Sequence, residues 1–138
     1  MKKILFILSI IFFTSCTSVG KFGAGVDITF DPRTIGRMYL GTESALDGAK
    51  PTATYILDML TQRYQDRFGE DCFRNCDVVD MTFACIGAVD ALHTTLDWAA
   101  RSTPEDERVG VVIFSDNAKY DLESSGEYTQ GAGGGALL

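Results

Sequence analysis

The sequence predicts an α/β fold built on a largely parallel sheet. Short apolar runs at residues 37–42, 76–84 and 109–114 alternate with longer stretches whose apolar residues recur at helical spacing. Strands and helices that alternate in this way pack as βαβ units. The run 109–114 (VGVVIF) is apolar throughout, as a strand covered on both faces is.

The elements follow in order. Residues 17–32 form an irregular lead-in, with Asp31-Pro32-Arg33 as a turn into the fold. Residues 37–42 (RMYLGT) are the first strand. Residues 50–68 predict a helix: Pro51 suits its first turn, and Ala53, Ile56, Leu57, Leu60 and Tyr64 share one face. Gly69 ends it. Residues 76–84 (CDVVDMTFA) are the second strand. A second helix, 85–100, carries Ala88, Val89, Leu92, Leu96 and Ala99, with Ala91, Trp98 and Ala100 widening the stripe, and is expected to be mostly buried. Residues 102–107 (STPEDE) are a charged surface turn, 120–130 a polar loop, and 131–138 a further core strand. The sequence stops inside that strand, so the domain is expected to be truncated at its C-terminus.

A chain of 138 residues holds one domain at most. Its 46% hydrophobic and 22% charged residues fit a globular protein and argue against disorder. The formal net charge of −7, with no basic run, argues against nucleic-acid binding. A site for an anionic ligand must therefore be local.

Residues 1–16 read as a targeting segment. Lys2 and Lys3 precede an apolar run at 4–13, too short to span a bilayer as a helix, followed by Thr14-Ser15-Cys16. The small residues before Cys16 resemble a bacterial lipoprotein cleavage box, which would make Cys16 the lipid attachment point. After Cys16 come Cys72, Cys76 and Cys85, an odd number that indicates no disulfide framework. The single histidine, His93, completes no zinc spacing, so no metal site is expected. His93 lies eight residues beyond Cys85, about 12 Å along a helix axis, and reads as structural. Thiols of this kind suit a reducing compartment, in conflict with an export signal.

Three clusters follow apolar strands, where open α/β sheets bind ligands. In Gly41-Thr42-Glu43-Ser44, Glu43 is either a general base or a surface carboxylate capping a turn. In Phe83-Ala84-Cys85-Ile86-Gly87-Ala88 a strand turns into a helix. Free N–H groups there favour a thiolate on Cys85, with Gly87 and Ala88 leaving the sulfur accessible. The other reading of Cys85 is a small buried hydrophobe. The third cluster runs from Asp116 through Tyr120 to Gly126, Glu127, Thr129, Gly131 and Gly133. Its glycines suit either close backbone approach to a substrate or a flexible linker.

Taken together, residues 41–50 (GTESALDGAK), 77–92 (DVVDMTFACIGAVDAL) and 114–138 (FSDNAKYDLESSGEYTQGAGGGALL) resemble 3-hydroxy-3-methylglutaryl-CoA synthase, of the thiolase superfamily. The resemblance covers 33–138 and implies a partial N-terminal half of the thiolase-like layered fold. It implies a Claisen-type condensation of acetyl-CoA with acetoacetyl-CoA, substrates rather than cofactors, in a complete enzyme that is a homodimer. Cys85 matches the nucleophile that takes the acetyl group, and Glu43 the carboxylate that removes a methyl proton. Asp116 and Tyr120 match residues lining the acyl site, and Gly126, Glu127, Thr129, Gly131 and Gly133 belong to a matching pocket wall. N–H groups at the helix start are expected to stabilise the oxyanion. The family places Pro where Tyr128 stands and has a less Gly-rich strand than Gly134-Gly135. Its downstream histidine, the general acid, has no match here, so inactivity is expected of the chain by itself. Such substrates imply a cytoplasmic location. Two other readings are a ketoacyl-carrier-protein synthase, which is not expected to carry Glu43 in a GTES segment, and a non-catalytic secreted lipoprotein.

Overall fold

Strand β1 (Ile35–Gly41) lies inside the sheet, between β2 (Asp77–Met81) and β3 (Val109–Ala118), and is parallel to both. Strand β4 (Gly131–Leu137) extends the order to β2-β1-β3-β4 and runs antiparallel to β3. The computed structural model describes residues 31–103 and 105–138. The signal-like segment 1–16, Cys16 and most of the lead-in lie outside the described residues. The expected turn is present as a 3-10 turn, Pro32–Thr34, capped by the Asp31 carboxylate, which accepts from the Arg33 N–H at 2.9 Å.

Two helices connect the parallel strands: α1 (Ala53–Phe68) between β1 and β2, and α2 (Gly87–Ala100) between β2 and β3. The chain steps from β1 outward to β2, then back across β1 to β3. Crossovers of one hand that step in opposite directions put their helices on opposite faces. The packing agrees. Leu57, Leu60, Tyr64 and Phe68 of α1 pack with Ile35, Val109 and Val111, whereas Ala91 and Leu92 of α2 pack with Tyr39, Val79 and Val112. Val111 and Val112 are strand neighbours and point to opposite faces. Strand β1 is thus covered twice, and Met38 and Leu40 are 0% and 1% exposed.

Each helix start is fixed by something the periodicity does not contain. The Asp80 carboxylate on β2 accepts from the Thr52 N–H at 2.5 Å and the Ala53 N–H at 3.0 Å. It thereby satisfies two of the unpaired donors at the start of α1 and places a negative charge at the positive end of the helix. The α2 start is a backbone contact. A Cβ on Gly41 would overlap the backbone nitrogen of Ala88, and one on Gly87 would overlap the Met81 carbonyl oxygen. Gly87 is therefore present for close packing. Gly69, at φ 88°, ends α1 as expected.

Burial is shallower than the sequence suggested. Only Gly87, Ala91 and Thr95 of α2 are buried, and Val89 and Leu96 are 43% and 44% exposed, so α2 is not a mostly buried helix. In β3 only Val112 is buried, and β4, expected as a core strand, is exposed along most of its length. The apolar run of β3 signals a strand, but among the described residues cover on both faces is complete only around β1. His93 is exposed on α2 and is not a buried structural histidine.

The Gly41→Ala substitution should destabilise the chain by about 1–3 kcal/mol, because the backbone of α2 must move. Gly48→Ala, at a position with nothing within 4 Å, should change stability by less than about 0.5 kcal/mol. Urea unfolding of the two variants checks this, and equal effects would contradict the backbone contact. A second test uses pH. Burial, then the neighbouring Asp77 charge, pushes the Cys76 thiol from its ordinary 9.0 up to about 11. A raised folded pKa gives stability that is fully present below the ordinary value and lost as pH climbs through the folded one. Stability should therefore fall as pH rises from about 9 to about 11. Tyr39, also raised, by burial and its bond to Asp77, adds to the loss. Cys76→Ser should flatten this slope in denaturant titrations across that range.

Candidate active site

The carboxyl ends of β1, β2 and β3 meet on one side of the sheet, where the chain reverses its direction of winding about β1. Open α/β sheets bind ligands at such a point. Four of the residues singled out in the sequence, Glu43, Cys85, Asp116 and Tyr120, lie at this end.

Glu43 follows β1 and is half-buried. Its backbone is pinned, because the Asp116 Oδ1 accepts from the Glu43 N–H at 2.6 Å and from the Thr42 hydroxyl at 2.9 Å. Thr42 is 2% exposed, and its Oγ1 also accepts from the Ser44 N–H at 2.9 Å. The Ser44 hydroxyl then accepts from the Asn117 N–H at 3.2 Å. Asp116 was expected just beyond a strand ending at 114. Strand β3 instead continues to Ala118, so Asp116 sits within a paired strand, opposite Gly133, with its carboxylate turned to the end of β1. Thr42 was not singled out in the sequence. Its signal is a hydroxyl residue at the end of a strand whose neighbour carries an aspartate, a pairing that only register reveals.

Cys85 does not open a helix as expected. Strand β2 stops at Met81, and Cys85 is the middle residue of a 3-10 turn, Ala84–Ile86, that precedes α2. Ala84 has φ 41°, a left-handed conformation that a non-glycine residue adopts only under constraint. The thiol is exposed, which removes the buried-hydrophobe reading. The N–H groups of Ile86 and Gly87 both donate to the Phe83 carbonyl at 3.1 Å. They are thus engaged within the turn, and the expectation that N–H groups here serve an oxyanion does not hold for these two.

Tyr120 contacts Glu43. Its hydroxyl donates to Glu43 Oε1 at 3.2 Å. The negative charge of Glu43, first, and this hydrogen bond raise the Tyr120 pKa above its ordinary value; burial and a thiolate charge on Cys85 add, and the Thr129 hydroxyl opposes. Glu43 is thus the main influence on the Tyr120 hydroxyl. An open cleft of about 390 Å³ is lined by Glu43, Ser44, Asn117, Ala118, Lys119 and Tyr120, and Cys85 is not part of its lining.

The other expected pocket residues lie elsewhere. Gly131 and Gly133 are in β4, paired with Ala118 and Asp116, and a Cβ on either would meet nothing within 4 Å. They do not line the cleft, and neither do Gly126, Glu127 or Thr129. The loop 120–130 contains a short 3-10 turn, Glu127–Thr129, and Gly126 packs under the Tyr120 ring. The polar, glycine-rich composition belongs to a loop that bonds largely to itself.

Helices on both faces of a sheet of three parallel strands and an antiparallel β4 give the chain a thiolase-like α/β fold. Comparison with known proteins gives the family. Residues 9–138 match the profile described as the hydroxymethylglutaryl-coenzyme A synthase N terminal region. The hydroxymethylglutaryl-CoA synthase of Haloferax volcanii is 37% identical over 107 residues, which cover 78% of this chain and 23% of that protein. The Ganoderma lucidum synthase is 36% identical over 108 residues, with 78% and 21% covered. Among solved structures, MvaS in complex with 3-hydroxy-3-methylglutaryl coenzyme A superposes with a TM-score of 0.63 at 33% identity, covering 78% of this chain and 23% of that one. A hydroxymethylglutaryl-CoA synthase complexed with CoA gives 0.61 at 29% identity, covering 78% and 24%. The chain belongs to the hydroxymethylglutaryl-CoA synthase family, and the ketoacyl-carrier-protein synthase and lipoprotein readings are not favoured. It spans under a quarter of the length of these relatives.

Asp116→Ala should cost about 1–3 kcal/mol, because it leaves the Glu43 N–H and Thr42 hydroxyl without their acceptor. Asp116→Asn keeps an acceptor oxygen and should retain most of that stability. Thermal unfolding of the two variants checks the difference, and matched losses would contradict the clamp.

Proposed function

We propose that this chain provides the acetyl-loading end of a hydroxymethylglutaryl-CoA synthase, with Cys85 as nucleophile and Glu43 as base. The observation that carries this is the placement of Cys85 just beyond β2 and of Glu43, bonded to Tyr120, just beyond the neighbouring β1, within the region that matches the family. In the first step the Cys85 thiolate attacks the acetyl carbonyl of acetyl-CoA and CoA leaves as its thiol. The thioester acidifies the methyl hydrogens, and Glu43, half-buried and pinned through its backbone, takes one of them. The enolate adds to the ketone carbon of acetoacetyl-CoA, and water then frees the product from Cys85.

The relatives bound to 3-hydroxy-3-methylglutaryl coenzyme A and to CoA support acyl-CoA ligands for this chain. Among the described residues no helix is long and apolar enough to cross a membrane. We place the reaction in the cytoplasm, where acyl-CoA is available. His93, exposed on α2 eight residues beyond Cys85, is not positioned as the general acid. The condensation step is therefore not assigned to these residues.

Incubation with acetyl-CoA should leave an acetyl group on Cys85, read by intact-protein and peptide mass spectrometry, and Cys85→Ser should abolish the thioester. Glu43→Gln should keep the acetyl adduct and lose exchange of its methyl hydrogens with deuterated water, a drop of roughly 10²-fold or more for a lost general base. A folded parent chain that takes no acetyl group, or one acetylated equally without Cys85, would overturn the assignment.

A further inference from the structure

Tyr120 touches the Glu43 carboxylate, and its own seat is built by residues that reach neither Glu43 nor the cleft. A Cβ on Gly126 would come within 2.9 Å of the Tyr120 Cδ1 and 3.0 Å of its Cγ, so the ring rests directly on the Gly126 backbone. The loop that brings Gly126 there folds on its own hydrogen bonds. The Ser124 N–H donates to the Asp121 carbonyl at 3.1 Å, the Glu127 N–H to the Ser124 carbonyl at 3.2 Å, and the Thr129 hydroxyl to the Gly126 carbonyl at 2.7 Å. Glu123 holds φ 63°, a left-handed conformation that costs a non-glycine residue energy. What holds it is the Glu127 carboxylate, whose Oε2 accepts from the Glu123 N–H at 2.5 Å. At the far end, the Gln130 Oε1 accepts from the Tyr120 N–H at 3.3 Å.

We propose that Gly126 and Glu127 are positioning residues: they hold the Tyr120 hydroxyl on the Glu43 carboxylate, and through it set the orientation of that base. This rests on Glu43 being the base and replaces the pocket-wall role expected for both residues. The loop is a latched seat. Glu127 fixes the turn at Glu123, the turn places Gly126, and the missing side chain of Gly126 lets the ring lie flat enough to reach Glu43. A methyl group at Gly126 would push the ring away. The titratable groups that act on the Tyr120 hydroxyl are Glu43, from the end of β1, and Cys85, from the turn before α2.

The experiment is a tyrosinate absorbance titration of the full chain, with Tyr120 isolated as the difference between parent and Tyr120→Phe. Glu43→Gln should move the Tyr120 midpoint downward, because the main charge that opposes its ionisation is gone. Gly126→Ala and Glu127→Ala should move it downward too, whereas Glu127→Gln, which keeps an acceptor for the Glu123 N–H, should restore much of the parent value. In a Glu43→Gln background the Gly126 and Glu127 substitutions should add nothing, since the contact they maintain is already neutralised. Far-ultraviolet circular dichroism establishes that each variant folds. If Gly126→Ala does not fold, the Glu127→Ala and Glu127→Gln pair decides. A folded variant with an unmoved Tyr120 midpoint, or a shift that persists without the Glu43 charge, overturns the seat. The titration needs no turnover, so its failure is distinct from failure of Glu43 as base, which methyl-hydrogen exchange reads.

Discussion

The contact between Gly41 and the start of α2 fixes the site. A backbone-to-backbone approach of this closeness admits no side chain on Gly41, and Gly87 makes the matching approach to Met81. Together they draw the ends of β1 and β2 against the first turn of α2. The residue after Thr42 is the carboxylate, and the residue two before Gly87 is the thiol. A contact that carries no chemistry thus places Glu43 and Cys85 at the same end of the sheet. The Thr42 N–H completes the junction by donating to the Met81 carbonyl at 3.1 Å.

The second constraint acts on Glu43 from the other side. A carboxylate on a free loop would sample many orientations. Here Asp116 holds the backbone of Glu43, and Tyr120 holds its side chain. Asp116 is available for this because β3 extends past its apolar run into Ser115, Asp116 and Asn117, with β4 paired alongside. Bonds from a rigid strand to a loop base are the arrangement that precise placement requires. Two acidic side chains in the site therefore have different settings: Asp116 anchors the loop, and Glu43 presents its carboxylate to Tyr120.

The parts of the fold legible in the sequence were those written in apolar spacing. The four strands, both helices and the Gly69 stop appear where periodicity put them, with ends shifted by a few residues. Strand ends were least legible: β2 stops at Met81 because the chain must turn early to bring Gly87 under its carbonyl, and β3 runs on through polar residues because β4 pairs with it. Glu43 and Cys85 were legible as a pattern of residue types. Asp116 and Tyr120 were legible as members of a cluster, but their bonds to the Glu43 loop were not. The bonds to Asp80 and Thr42 depend on which strands are neighbours, and the role of Gly126 depends on where a ring 6 residues away comes to rest. A glycine-rich stretch reads the same in sequence whether it meets a ligand, a ring or a neighbouring strand.

The Cys85 turn shows how the chemistry is shared between this chain and the rest of such a fold. A cysteine that opened α2 would have free N–H groups beside it for the oxygen of a bound acetyl group. Here the turn at Ala84 places Cys85 earlier, in the open, and the N–H groups of Ile86 and Gly87 close back on Phe83. Exposure favours reaction of the thiol with an incoming acyl group, while the charge that then develops on the acyl oxygen must be met by donors other than these two. The relatives are more than four times the matched length, so most of their chain has no counterpart in these residues. What this chain does contain is an exposed thiol on a strained turn and a carboxylate fixed from two sides. The backbone contact at Gly41 is what sets those two residues at the same end of the sheet.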